Sequence, residues 1–134
     1  MGKTKVLLDS NIFISALGWN GKPRVILEKC LHGELELVTS PDQLNELMRV
    51  MDYPKFDFTE EQKLTLLGII TAIATIVEIP KTLKVIEDDP SDDIILETAM
   101  VGNVDYLVSG DPHLLKLKEF EKIKIITASE FLGV

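Results

Sequence analysis

Val6-Leu7-Leu8-Asp9-Ser10-Asn11 is a short aliphatic run that ends abruptly in a carboxylate and two small polar residues. Too short for a helix and apolar at consecutive positions, it predicts a buried strand of a parallel sheet covered on both faces. In open α/β sheets, ligand sites gather beyond the carboxyl ends of such strands, so Asp9 stands where chemistry is expected. A plainer role is open to the same residues: Asp9 or Ser10 can cap a helix beginning near Ile12.

Working outward, Ile12 to Leu17 reads as a short helix that stops in the loop Gly18-Trp19-Asn20-Gly21. Pro23 opens the next helix, with Val25, Ile26, Leu27, Cys30 and Leu31 inward and Gly33 as its stop. Leu35 to Val38 is a second strand. Ser40-Pro41-Asp42-Gln43 has capping-box spacing, and Leu44, Leu47, Met48 and Met51 give the helix it opens one apolar stripe. Thr59-Glu60-Glu61-Gln62 opens another helix, running to about Thr75, whose wide apolar face fits a subunit contact or, the commoner case, a deeply buried helix. Ile76 to Ile79 is expected as a strand, and an acidic loop from Glu87 to Ser91 leads into a helix from about Asp92 to Val101. Tyr106 to Ser109 is a strand ending at Gly110-Asp111, Leu114 to Phe120 is expected as a helix, and Ile123 to Ile126 is the last strand. Strands alternating with helices throughout predict a three-layer α/β/α sandwich around a mainly parallel sheet, one domain over residues 1–134.

Composition narrows the function. A formal net charge of -8 argues against a surface that clings to nucleic acid everywhere. Two divalent cations held by four carboxylates would bring that balance to -4 and make the cleft itself attractive to phosphate. The lone Cys30 cannot form an internal disulfide and fits a reducing cytosol. No apolar segment is long enough to span a bilayer, so a soluble, cytoplasmic protein is expected.

The acids fall at suggestive places. Asp9 and Asp111 each follow an apolar strand directly, which puts both at the carboxyl edge of the sheet. On its helix, Asp92 lines up with Ile95, Leu96 and Ala99, whereas Asp93 lines up with Glu97, so Asp92 is expected to face inward and Asp93 solvent. Glu46 lies nearly opposite its helix's apolar stripe and reads as solvated, paired with Arg49 at i+3. Clustered carboxylates raise one another's pKa and persist mainly when a cation compensates them. An oxygen-only donor set favours Mg²⁺ or Mn²⁺ over zinc.

These residues together resemble the PIN-domain family of metal-dependent ribonucleases, especially its toxin-antitoxin branch. The resemblance spans essentially the whole chain and rests on four pieces in order: Val6 to Asn11, Leu44 to Val50 around Glu46, Asp89 to Ala99 around Asp92, and Asp105 to Asp111. It implies Mg²⁺- or Mn²⁺-dependent hydrolysis of RNA phosphodiesters, by a homodimer restrained by an antitoxin protein. Asp9, Glu46, Asp92 and Asp111 would be the catalytic metal ligands, with Asn11 and Ser109 orienting Asp9 and Asp111. Lys22 and Arg24, beside the Trp19 loop, are the expected phosphate contacts, and Trp19 itself could stack a base. A receiver-type phosphoacceptor module shares the length and an acidic Mg²⁺ pocket, but Asp9 is followed by Ser10-Asn11 rather than a second acid, and Ile126 by Thr127 rather than lysine. A non-catalytic PIN-like scaffold that binds RNA or protein is the other alternative.

Overall fold

The computed structural model describes residues 2–80 and 90–133, the side chains of 90–92 lying outside that description. The acidic loop before Pro90 and the inward-facing side chain expected of Asp92 therefore lie outside the described residues. In chain order the elements are β1 (Thr4–Leu8), α1 (Ser10–Gly18), α2 (Lys22–Leu31), β2 (Leu35–Thr39) and α3 (Pro41–Met51). After a 3₁₀ turn at Pro54–Phe56 come α4 (Glu60–Ile73), β3 (Thr75–Ile76), α5 (Pro90–Val101) and β4 (Tyr106–Val108). The chain closes with α6 (Pro112–Leu115), β5 (Glu119–Phe120), β6 (Ile123–Ile126) and α7 (Ala128–Leu132).

The strands form one sheet in the order β3-β2-β1-β4-β6-β5. All neighbours are parallel except β5 and β6. Val6, Leu7 and Leu8 have no exposed surface, as a strand covered on both faces requires. Val6 and Leu8 point into a core with Phe13, Ile14, Ile26, Leu47 and Ile70, and Leu7 into another with Leu96, Ala99, Leu107 and Ile125. That alternation makes the three layers: helices cover both faces of β1, and Val6, Leu7 and Leu8 each contribute about 1.5–3 kcal/mol of burial.

Three expectations need correction. The stretch from Leu114 to Phe120 is a helix only as far as Leu115; Lys118 then turns at φ 62° and the chain pairs antiparallel with β6 through a turn at Glu121 and Lys122, whose φ values are 50° and 72°. A two-residue turn with both φ positive usually carries Asn or Gly, so Glu-Lys concealed the hairpin. The strand expected from Ile76 to Ile79 shrinks to Thr75–Ile76, although the Val77 amide still donates to the Thr39 carbonyl at 2.9 Å. The inner faces of two helices also differ: on α3 Met48 is exposed and the buried line is Gln43, Leu47 and Met51, and on α2 Val25 and Leu31, expected inward, are exposed.

Gly102, just beyond α5, packs against β2 so tightly that a Cβ there would stand 2.5 Å from Val38 Cγ1 and 3.1 Å from the Thr98 carbonyl oxygen. A β-branched strand residue has little rotamer freedom with which to yield. Gly102→Ala is expected to cost roughly 1–3 kcal/mol by overpacking, read as a lower urea midpoint; an unchanged midpoint would show that the two layers are free to part.

Candidate active site

Parallel register brings the key residues together. Leu8 of β1 stands opposite Val108 of β4, so Asp9 and Ser109 leave neighbouring strands side by side. The Asp9 amide donates to the Val108 carbonyl at 3.1 Å, and the Ser109 amide to the Ile126 carbonyl at 3.0 Å. The Ser109 hydroxyl donates to Asp9 Oδ2 at 2.5 Å and accepts from the Asp111 amide at 2.9 Å. One buried hydroxyl thus ties the two strand ends together. Each aspartate also caps a helix: Asp9 Oδ1 accepts from the Asn11 amide at 2.7 Å and Asp111 Oδ1 from the His113 amide at 2.8 Å. The plain capping role and the placement at the sheet edge are both true of Asp9. Asn11 bonds Asp9 through its backbone amide, while its side chain is exposed.

Asp9 is 5% exposed. Burial pushes its pKa up from the ordinary 3.8; the Ser109 hydroxyl and the Asn11 amide oppose that rise, and the nearby charge of Asp111 adds to it. A carboxylate kept dry beside another is electrostatically costly, and a cation would relieve both contributions.

α3 brings the next acid by a latch the sequence reading missed. Ser40 caps α3 by accepting from the Gln43 amide at 3.1 Å, as the capping-box spacing suggested. The Gln43 side chain does not return the bond. Instead its Nε2 donates to the carbonyl of Leu8 at 2.5 Å, and its Oε1 accepts from the Thr39 hydroxyl at 2.5 Å. Buried Gln43 therefore fastens α3 to the last residue of β1, directly before Asp9. The Ser40 hydroxyl also meets Thr98 Oγ1 at 2.8 Å, and Thr98 donates to the Ile94 carbonyl at 2.8 Å, joining α3 to α5. With its inner line on Gln43, Leu47 and Met51, α3 turns Glu46 towards the cleft flank rather than into open solvent, its side chain being 17% exposed. The expected i+3 pairing is present: the Arg49 guanidinium holds both Glu46 oxygens and donates to the Tyr53 hydroxyl at 2.6 Å.

These groups line an open cleft of about 240 Å³. Asp9, Ser10 and Asn11 form its floor beside Asp111, Glu46, Arg49 and Val50 border it from α3, and Tyr53, Lys55 and Phe56 form the rim, with Ile95 contributed by α5. Ser10 Oγ is buried and, among the described residues, has no hydrogen-bond partner. A buried hydroxyl left without an acceptor next to two carboxylates suits a site that takes a polar ligand. Among the described residues no three acidic, histidine or cysteine side chains converge closely enough to hold an ion. Asp9 and Asp111 nevertheless fit a hard dication as an oxygen-only pair.

On α5 the inward positions Ile95, Leu96 and Ala99 are buried, but Glu97 is buried as well and Asp93 is half-buried, so Asp93 does not face open solvent as expected. Lys22 and Arg24 lie away from the cleft lining. Lys22 Nζ donates to Ser129 Oγ at 3.0 Å, and the Arg24 guanidinium donates to the carbonyls of Ala16 and Leu17 at 2.9 and 3.0 Å, closing the end of α1. Trp19 is exposed at that same end. Among the described residues, the cations lining the cleft are Arg49 and Lys55 instead. Cys30 is buried, which pushes its thiol up to about 12 and leaves it a core residue.

A sequence model of the PIN domain matches residues 5–113. An uncharacterized protein of Methanocaldococcus jannaschii, MJ1680, is 29% identical over 141 aligned positions covering 97% of this chain and 90% of that protein. Among solved structures, VapBC2 from Rickettsia felis bound to a DNA fragment from its promoter contains a chain that matches 91% of this one and 97% of its own length, with a TM-score of 0.61 at 18% identity.

Two outcomes follow from this geometry. Because the folded protein holds the Asp9 proton more tightly than the unfolded chain does, the contribution of Asp9 to stability in EDTA should fall as pH rises from 3.8 through its higher folded pKa. At neutral pH Asp9→Asn should therefore melt higher than the wild type in EDTA; a lower melting temperature would contradict the desolvation argument. Gln43→Met, which strands the Thr39 hydroxyl and the Leu8 carbonyl, is expected to cost about 1–3 kcal/mol in chemical denaturation, and no loss would mean that the latch is idle.

Proposed function

Given that this chain belongs to the PIN-domain family, whose members are generally nucleases, we propose that it is a Mg²⁺- or Mn²⁺-dependent ribonuclease acting as the toxin of a toxin-antitoxin pair. The observation that carries this is the Ser109 hydroxyl joining Asp9 and Asp111 at the floor of an open, polar cleft. The fold likeness to a chain of VapBC2 supports the toxin assignment and, with it, an antitoxin partner; a homodimer belongs to the same reading. Family membership displaces the receiver-type alternative.

In this reading Asp9 and Asp111 hold the ion, with Asp92 and Glu46 completing its shell directly or through water. A bound dication lowers the pKa of water and stabilises the leaving oxygen of a phosphodiester. The protein's own residues do the positioning. Ser109 and the Asn11 amide fix the two oxygens of Asp9, so that its free electron pairs keep one direction. Glu46, shared with Arg49, sets the charge of the wall facing the scissile group. RNA cleavage assayed with added Mn²⁺ tests all of this together. Asp9→Asn should abolish turnover with the fold intact, and Ser109→Ala should lower it by roughly 10–100-fold. Undiminished cleavage by purified Asp9→Asn protein would refute the assignment.

A further inference from the structure

The rim of the cleft is built unlike its floor. Tyr53, Phe56 and Phe58 stack in a ladder, with centroids 6.5 and 5.7 Å apart and rings within 6° and 9° of parallel. Each cation that lines the cleft lies against one of these rings: the Arg49 guanidinium 5.6 Å from the Tyr53 centroid and Lys55 Nζ 5.1 Å from that of Phe56. Tyr53 is 38% exposed at the rim, so part of its ring stays open to solvent beside these contacts. Glu46 pairs with Arg49, so among the described residues Lys55 is the second positive charge at the rim of a chain of net charge -8.

We propose that Tyr53 and Lys55 form a binding subsite for a single-stranded polynucleotide, Tyr53 stacking a base and Lys55 taking a neighbouring phosphate. The proposal deepens the ribonuclease reading of the same cleft and rests on it. An aromatic face accepts any base, but only one that is out of a duplex stack, whereas a cation beside it tracks the backbone. The duplex form offers the phosphates without the base face. The subsite would therefore select unpaired strands and leave sequence unread. Arg49, occupied by Glu46 and the Tyr53 hydroxyl, holds the ring in place rather than meeting the strand.

The test is fluorescence anisotropy of a labelled oligouridylate and of a labelled RNA duplex with the full chain in EDTA, where no turnover competes. Single-strand binding tighter than duplex binding is expected. Tyr53→Leu should weaken it by roughly 5- to 150-fold, and Tyr53→Phe, which keeps the stacking ring and loses only the bond to Arg49, should bind more tightly than Tyr53→Leu. Lys55→Gln should lower the salt dependence of binding by about one phosphate contact. Equal affinity of Tyr53→Leu and wild type overturns the subsite, as does a change only in oligomeric state by size exclusion, which would make the rim a protein contact. Failure of the ribonuclease reading looks different: strand binding that depends on Tyr53, with no cleavage when Mn²⁺ is added.

Discussion

A single hydroxyl, that of Ser109, links the Asp9 carboxylate to the backbone amide of Asp111 at neighbouring strand ends. It donates to the Asp9 carboxylate and accepts from the Asp111 amide, so the Asp9 side chain and the Asp111 backbone are held relative to each other through bonds of fixed polarity. The arrangement exists only because β1 and β4 are adjacent, parallel and in register at Leu8 and Val108. Everything that stabilises that register, from the wholly buried Val6, Leu7 and Leu8 to the helices over both faces, also stabilises the spacing of the acids. Core packing and site geometry are in this sense one constraint.

The second constraint is the Gln43 latch. A capping box would have spent this side chain on its own helix end; here it reaches the Leu8 carbonyl and sets α3 at a fixed height over the β1 terminus. Glu46, one turn further on, inherits that height. A helix-borne acid reaches the cleft because a buried amide upstream has been diverted from capping to tethering.

Much of this was legible in the sequence. The apolar run ending at Asp9 gave a parallel strand and its exit point, and the alternation of elements gave the three layers, because both follow from periodicity and from the burial of two sheet faces. The order in which strands lie was not legible, since it is decided by long-range packing. Glu46 was misjudged on residue pattern alone because Met48 looked like part of the inner stripe; Met48 is exposed, and the true line runs through a polar residue, Gln43. The hairpin after α6 escaped notice because its turn carries Glu121 and Lys122 in left-handed conformations that their side chains do not advertise. Lys22 and Arg24 were sought as phosphate contacts on proximity to a loop, whereas their bonds run to Ser129 and to the carbonyl end of α1. The cations at the cleft, Arg49 and Lys55, are marked by the aromatic rings beside them.

The central claim is that Asp9 and Asp111, coupled through Ser109, form a seat for one hard dication. Anomalous diffraction from crystals of the wild-type protein grown with Mn²⁺ tests it most directly. The account predicts a manganese peak within bonding distance of carboxylate oxygens of both Asp9 and Asp111, with the Ser109 hydroxyl still on Asp9. A manganese ion bound elsewhere, or none in that cleft at saturating concentration, would contradict it.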